Sequence, residues 1–367
     1  MNRRNVLIAG GALAAGAGLG AVLVDVAHSR SMGDYAEAAA AARVELSAQP
    51  EIADVIRLAT LAANGHNTQP WRFRRGTGRI DIVPDLDRRT SVVDPDDHHL
   101  FVSLGCAAEN LSLAAAASGF AGDLRFESSD GGSLAFEFRR GSAVRSPLAD
   151  AITHRRSTRS EYDGRPVAVN ALKILAATNV DDVDVLLLTE RRQIEQLTEL
   201  VVAGNTAQMQ DTAFVRELKS WMRFDPRRAL ATRDGLFAAT SGNPVVPEWF
   251  GRLLFDIAFR IGSENDKYAR HLRSSAGVAV FVGKGEAAEY WVKAGRASQR
   301  FALAATGLGL KCAFVNQPVE VTSIRRQLAS YLGLNSRRPD LLMRFGYGPD
   351  TIASLRRPIE RVVLPAT

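Results

Sequence analysis

Cysteine is scarce in this chain. Only Cys106 and Cys312 occur in 367 residues. Two isolated cysteines exclude a disulfide framework and a cysteine-rich metal cluster. They read as two half-buried thiols, or as one disulfide if the chain is exported. Aromatic residues make up only 7%, and neither a zinc-finger spacing nor an aromatic-plus-basic ribonucleoprotein motif is present. Acidic residues are outnumbered, 40 against 46 Lys and Arg, for a net charge of +6. The basic residues are spread along the chain, which suits small anionic ligands and not nucleic acid. Asp94, Asp96, Asp97, His98 and His99 could suggest a metal, but acids at a helix start explain them, and no metal is expected. What remains, 46% hydrophobic and 23% charged, is the composition of a globular protein with a sizeable core.

The first thirty residues do not read as core. Arg3 and Arg4 form a twin-arginine pair, followed by an uncharged run from Val6 to Val24. This is the layout of an export signal of the twin-arginine route, which carries folded proteins. Asp25 before Ala27 makes a poor cleavage site, so residues 6–24 could stay as a membrane anchor. The expected location is the periplasm or cell envelope, or the cytoplasm if the signal is not used. Gly10, Gly11, Gly16 and Gly18 imitate a dinucleotide turn, but no strand separates them from the next helix, which argues against that motif.

Helical spacing of Ile52, Val55, Ile56 and Ala59 predicts a helix over 51–63. A strand pair follows at 71–75 and 79–83, then a helix opened by the start signal Asp94-Pro95-Asp96-Asp97 that runs to about Ala117 and is stopped by Gly119. Short strands near 124–127 and 134–138 close the first half. The pattern restarts after Ser146-Pro147, with helices at 148–154, 170–177 and 191–210 and a strand at 183–188. Strands at 276–282, 311–315 and 341–345 follow, with helices at 287–306 and 321–332.

Residues 105–119 align without a gap on 295–309, matching Gly105/Gly295, Ala107/Ala297, Leu113/Leu303, Ala114/Ala304, Ala115/Ala305 and Gly119/Gly309. Each stretch follows a helix-then-strand unit. Two copies of one α+β unit would act as a homodimer within one chain. The expected organisation is 1–30 signal or anchor, 31–145 first half and 146–367 second half. The second half carries an insertion at 204–266, with Trp221, Phe224, Phe237, Trp249 and Phe250 among Pro and Gly. It reads either as a lid over a ligand or as a surface subdomain with its own core.

Two local motifs carry chemistry. In Asn67-Thr68-Gln69-Pro70-Trp71, Pro70 ends the helix and pushes Gln69 to an extended backbone. Asn67 and Gln69 then sit on a loop, where amides can bond a heterocycle edge or a hydroxyl chain. In Arg155-Arg156-Ser157-Thr158-Arg159, the alternating Arg155, Ser157 and Arg159 share one face of an extended segment. Two guanidiniums and a hydroxyl there make a phosphate clamp.

With Gly307-Leu308-Gly309 and the closing segment 341–348, these motifs resemble the nitroreductase family of FMN proteins, over most of 51–363. The resemblance implies an α+β sandwich that works as a homodimer with FMN at the interface. Here the Asn-x-Gln-Pro-Trp loop occurs only in the first half and the Arg-x-Ser-x-Arg clamp only in the second. That is similar to the fused, single-chain, Acg-like branch of the family. By this resemblance Arg155, Ser157 and Arg159 hold the phosphate, and Gly65 and Asn67 touch the isoalloxazine or ribityl chain with Gln69 in support. Either Arg356 or Arg357 adds a second basic contact. Val315 and Asn316 fall near flavin N5, although Phe314 departs from the family's glycine-rich run. The implied activity is two-electron transfer from NAD(P)H to a nitroaromatic or quinone-like small molecule. The alternative is an FMN-sequestering protein that reduces little. No catalytic side chain is expected, because flavin carries the chemistry. One FMN per chain and a monomer acting as a pseudo-dimer follow from the split motifs.

Overall fold

The computed structural model describes residues 30–178 and 180–365. The twin-arginine pair, the apolar run at 6–24 and the glycine-rich turn lie outside the described residues. Helix α1 covers residues 30–41. The first half continues with α2 (Ile52–Thr60), β1 (Trp71–Gly76), β2 (Arg79–Pro84), α3 (His98–Ala117), β3 (Phe120–Glu127) and β4 (Ser133–Arg140). A short α4 (Pro147–Asp150) leads to α5 (Val169–Ala176), β5 (Val183–Leu188) and α6 (Arg191–Gln210). Next come α7 (Thr212–Trp221), β6 (Met222–Arg223), α8 (Pro226–Thr232), β7 (Leu236–Phe237), α9 (Glu248–Ala258) and α10 (Ile261–Arg273). The chain closes with β8 (Gly277–Gly283), α11 (Ala288–Gly307), β9 (Lys311–Phe314), α12 (Gln317–Glu320), α13 (Thr322–Tyr331) and β10 (Leu341–Gly346).

Two four-stranded sheets run in the orders β1-β2-β4-β3 and β5-β8-β10-β9. All pairings within them are antiparallel. The connectivity is the same in both. Each has an edge strand, its neighbour, a long helix, the far edge strand, and finally the strand that fills the gap. The extra elements of the second half lie mainly between its first two strands, as α6 to α10.

The long helices α3 and α11 cross at the centre, each largely buried. A Cβ on Gly105 would lie 2.1 Å from the Val292 carbonyl oxygen, and one on Gly295 would lie 2.0 Å from that of Val102. Only glycine allows backbones so close. The two contacts are reciprocal, and they use the positions that the sequence repeat aligns. By length and composition α3 could cross a membrane, yet 78% of its apolar window is buried inside the protein. It is the core helix.

Each half sends its tail to the other. After β4 the chain crosses to the second sheet, where Ser157 bridges Cys312 of β9 and Thr158 N–H donates to the Cys312 carbonyl at 2.8 Å. After β10 the chain returns to the first sheet. There Phe73 N–H donates to Val362 O and Leu364 N–H to Phe73 O, both at 2.8 Å. The disulfide considered from sequence is not formed. Cys106 and Cys312 are free and buried, and the Cys106 thiol donates to the Gly295 carbonyl at 3.2 Å.

Candidate functional site

The crossing segments build a cavity of about 610 Å³ beside α3. This lies within the usual range for small-molecule sites. His99, Val102, Ser103 and Cys106 line it, spaced i, i+3, i+4 and i+7 on one helix face. Gly65, Ser157, Arg159, Val315 and Asn316 line it as well, so five of the sequence-predicted residues meet here. A Cβ on Gly65 would meet nothing within 4 Å. The backbone there borders open space.

A small annex of about 30 Å³ shares Ala63, Asn64, Ser157, Arg159 and Leu236 with the main cavity. Five arginines line it: Arg43, Arg155, Arg156, Arg159 and Arg356. No carboxylate lines it. Burial, then Arg155 and Arg156 nearby, pulls the Arg43 guanidinium down to about 10. Burial also lowers Arg155 and Arg159. Buried cations without a counter-charge are costly, and the cluster is offset only in part by backbone carbonyls. Arg155 donates to Leu61 O at 2.7 Å. Arg356 donates to Thr60, Leu61 and Ala62 O at 2.6–3.2 Å, and so caps the carbonyl end of α2.

Donors remain unused. The buried Nε atoms of Arg43, Arg155 and Arg156 have no hydrogen-bond partner. Arg159 makes no hydrogen bond or ion pair among the described residues, and it faces both cavity and annex. An acid-free arginine cluster with spare donors at the end of a planar-ligand-sized cavity matches a phosphate monoester carried by a larger ring system. The residues present therefore fit FMN.

Other predicted residues stand differently. Asn67 lines the annex, but its side chain is spent on the protein. Its Nδ2 donates to Gly235 O at 3.1 Å and Leu355 O at 3.3 Å, and its Oδ1 accepts from Arg356 Nη1 at 2.9 Å. Gln69 supports it from behind, its Nε2 3.5 Å from Asn67 O and 2.9 Å from Arg233 O. The extended backbone expected at Gln69 is not found. Its φ is +54°, and His66 and Asn67 are also left-handed. Asn64 Oδ1 accepts the Gln69 N–H at 2.9 Å and closes the turn. Pro70 bars only the right-handed helical conformation before it, and this turn takes the other exit. Of the two terminal arginines, Arg356 reaches the annex. Arg357 does not line it; it pairs with Asp85 at 3.2 Å, and its N–H meets Gln69 Oε1.

Arg43 and Arg156 were missed from sequence. Arg43 sits in the turn just after the alanine-rich α1, with no motif to mark it. The insertion covers the cavity: Phe214, Leu218, Phe224, Leu254 and Phe255 form an apolar wall. Its Phe237 packs on Tyr35 of α1, ring centroids 4.6 Å apart, while Trp249 and Phe250 are exposed. His66, His99, Gln208, Tyr268, His271 and Glu320 also line the cavity. The acids and His98 before and at the start of α3 do not converge. Asp94 accepts the His99 and Leu100 N–H groups, Asp96 pairs with Arg338, Asp97 with Arg89, and His98 with Asp340.

No family model matches the chain. It is 24% identical over 322 residues to a Mycobacterium tuberculosis protein provisionally named an NAD(P)H nitroreductase, covering 84% of this chain and 90% of that one. A second protein of that organism, acg, also provisionally named an NAD(P)H nitroreductase, is 22% identical over 331 residues, covering 85% and 94%. A solved nitroreductase with bound FMN from Desulfitobacterium hafniense is 12% identical with a TM-score of 0.38, covering 61% of this chain and 100% of that one. The FMN-dependent nitroreductase NfnB of Mycobacterium smegmatis, solved with NADPH, is 14% identical with a TM-score of 0.36, covering 60% and 94%. The fold is of the α+β class, with two four-stranded antiparallel sheets and two long central helices. The chain is similar along most of its length to these two mycobacterial proteins, and the matches of 322 and 331 residues exceed either half alone.

Proposed function

We propose that this protein binds one FMN per chain and passes two electrons from NAD(P)H to a small organic acceptor. The observation that carries this reading is the annex, five arginines and no carboxylate, opening into a 610 Å³ cavity. Arg155, Arg159 and Arg43 would hold the phosphate with their unused donors, joined by Ser157. Gly65, Val315 and Asn316 would border the ring system. The bound flavin would supply the redox chemistry, accepting and releasing two electrons. The protein's part is to fix the phosphate and the ring and to exclude water with the side chains of the insertion. The names of the relatives support a nicotinamide donor.

The same insertion supports a second reading, in which FMN is held behind the apolar wall and turns over little. One experiment separates the two. The purified holoprotein is mixed with NADPH or NADH in a stopped-flow instrument. Bleaching of the flavin absorbance supports the reductase, and unchanged absorbance supports storage. A protein purified without flavin, and unable to take up FMN, would end both readings.

We also propose that residues 1–30 direct twin-arginine export or anchor the protein to a membrane. Changing Arg3 and Arg4 to Lys should retain a fused reporter in the cytoplasm. Continued export of that variant would rule the route out.

A further inference from the structure

The polar wall of the main cavity has chemistry that cofactor binding does not use. Two carboxylates line the cavity, Glu264 and Glu320. Glu264 is paired with Lys267. Glu320 has no cationic partner of that kind. Its Oε2 accepts from Gln208 Nε2 at 2.5 Å, and its Oε1 lies 3.5 Å from His99 Nε2. The groups that act on it are Asp94 just before α3, His99 in α3, Gln208 of α6 and Tyr268 of α10. The same cavity is lined by the apolar side chains of Phe214, Leu218, Phe224, Leu254 and Phe255. A largely apolar ligand with a polar group for Glu320 suits such a lining.

We propose that Glu320, set between His99 and Gln208, donates a proton to the electron acceptor. The inference rests on the reductase reading above. A quinone takes one hydride and one proton to become a hydroquinone, and a nitro group takes the same pair to become a nitroso group and water. One acid without a cationic partner can supply that proton to either. Bound reduced flavin would supply the hydride, two electrons with one proton. With a quinone as acceptor, the O–H bond of Glu320 breaks as an O–H bond of the hydroquinone forms, and the carboxylate left behind is reprotonated from water. Burial, reinforced by Asp94 and opposed by Gln208, pushes the Glu320 carboxyl up to about 7, so it carries a proton to spare near neutrality. Burial, then His98 and Arg338 nearby, holds the His99 imidazole well below its usual range, so it does not take that proton away.

The probe is menadione, which has no titratable group between pH 5.5 and 8.5. Calorimetric titration into the purified full chain should show affinity falling about 10-fold as pH rises through 7, as Glu320 loses its donor. Glu320→Gln should bind menadione with no pH dependence. The photoreduced holoprotein, mixed anaerobically with menadione, should be reoxidised roughly 100-fold more slowly in Glu320→Gln, and Glu320→Asp should recover part of the rate. Flavin content should be equal in all three proteins. Binding in the unaltered protein that ignores pH, or equal reoxidation rates, would overturn the assignment. A protein that binds menadione with the expected pH profile but is not reduced by NAD(P)H would overturn the reductase reading alone.

Discussion

The two sides of the α3–α11 crossing are built on one plan and used in opposite ways. On one side, α3 presents His99, Val102, Ser103 and Cys106 to the cavity. The equivalent face of α11, by the alignment of Gly105 on Gly295, carries Glu289, Val292, Lys293 and Arg296. Those long side chains are tied down. Lys293 pairs with Glu289 at 2.9 Å and Asp182 at 2.8 Å, and the fully buried Glu109 takes Arg296 at 3.0 Å and Arg300 at 2.7 Å. Small side chains leave room where arginines elsewhere stay unpaired. Large ones fill the room where arginines have found their carboxylate. Pseudo-symmetry of backbone therefore does not bring symmetry of function, and charge pairing separates an open site from a closed one.

This contrast can be broken from either side. Removing the unpaired arginines should have the largest effect. Arg155→Ala with Arg159→Ala takes away two charge-assisted contacts of about 1.5–3 kcal/mol each, so FMN affinity should fall by about 100-fold to 10,000-fold. Equilibrium dialysis with FMN would measure it, and retention of tight binding would refute the clamp. Native mass spectrometry of the unaltered holoprotein should find one flavin per chain. Two per chain would mean that the filled side binds as well, and one per two chains would place the site between molecules.

Glu109→Ala attacks the paired side. It leaves Arg296 and Arg300 facing a buried gap, and should cost about 3–5 kcal/mol in urea unfolding without creating a second flavin site. Gly105→Ala and Gly295→Ala test the symmetry itself. Each puts a methyl group about 2 Å from a carbonyl oxygen, and each should destabilise by about 1–3 kcal/mol. The two losses should agree closely; a large difference would mean that the crossing is not reciprocal in energy.

The smallest effect concerns acid. Burial, and then Arg159 nearby, pulls the His66 imidazole down to about 4 from an ordinary 6.5. The folded protein thus binds this proton less readily than the unfolded chain does. The stability tied to His66 is full above pH 6.5 and is lost as pH falls toward 4, by at most about 1.4 kcal/mol per pH unit. His66→Asn tolerates the left-handed backbone and should reduce the slope of stability between pH 6.5 and 5. An unchanged slope would assign the acid sensitivity to other groups.

Much of the fold was legible in sequence because its signals are local. The 191–210 helix, the strand pair around Gly78 and the helix stop at Gly119 each follow from spacing or from a residue with positive φ. The Gly105/Gly295 match was also visible, although its meaning, two backbones in contact, was not. The clamp was half legible. Ser157 and Arg159 were readable as an alternating motif, whereas Arg43 enters the annex only through tertiary packing of α1. Asn67 and Gln69 were legible as loop amides, but their partners were not. They bond the insertion and the C-terminal segment, which only tertiary folding brings to this left-handed turn. Glu320 and His99 lie far apart in the chain, and no spacing rule could have joined them.

Arg356 lies near the end of the chain, yet its guanidinium closes the carbonyl end of the second helix and borders the annex first shaped by residues 43 and 155–159. The annex therefore joins residues from distant parts of the sequence, and its last wall follows both sheets and both central helices along the chain. Contacts of such wide sequence separation are slow to form, so this corner of the molecule would be among the last to close during folding.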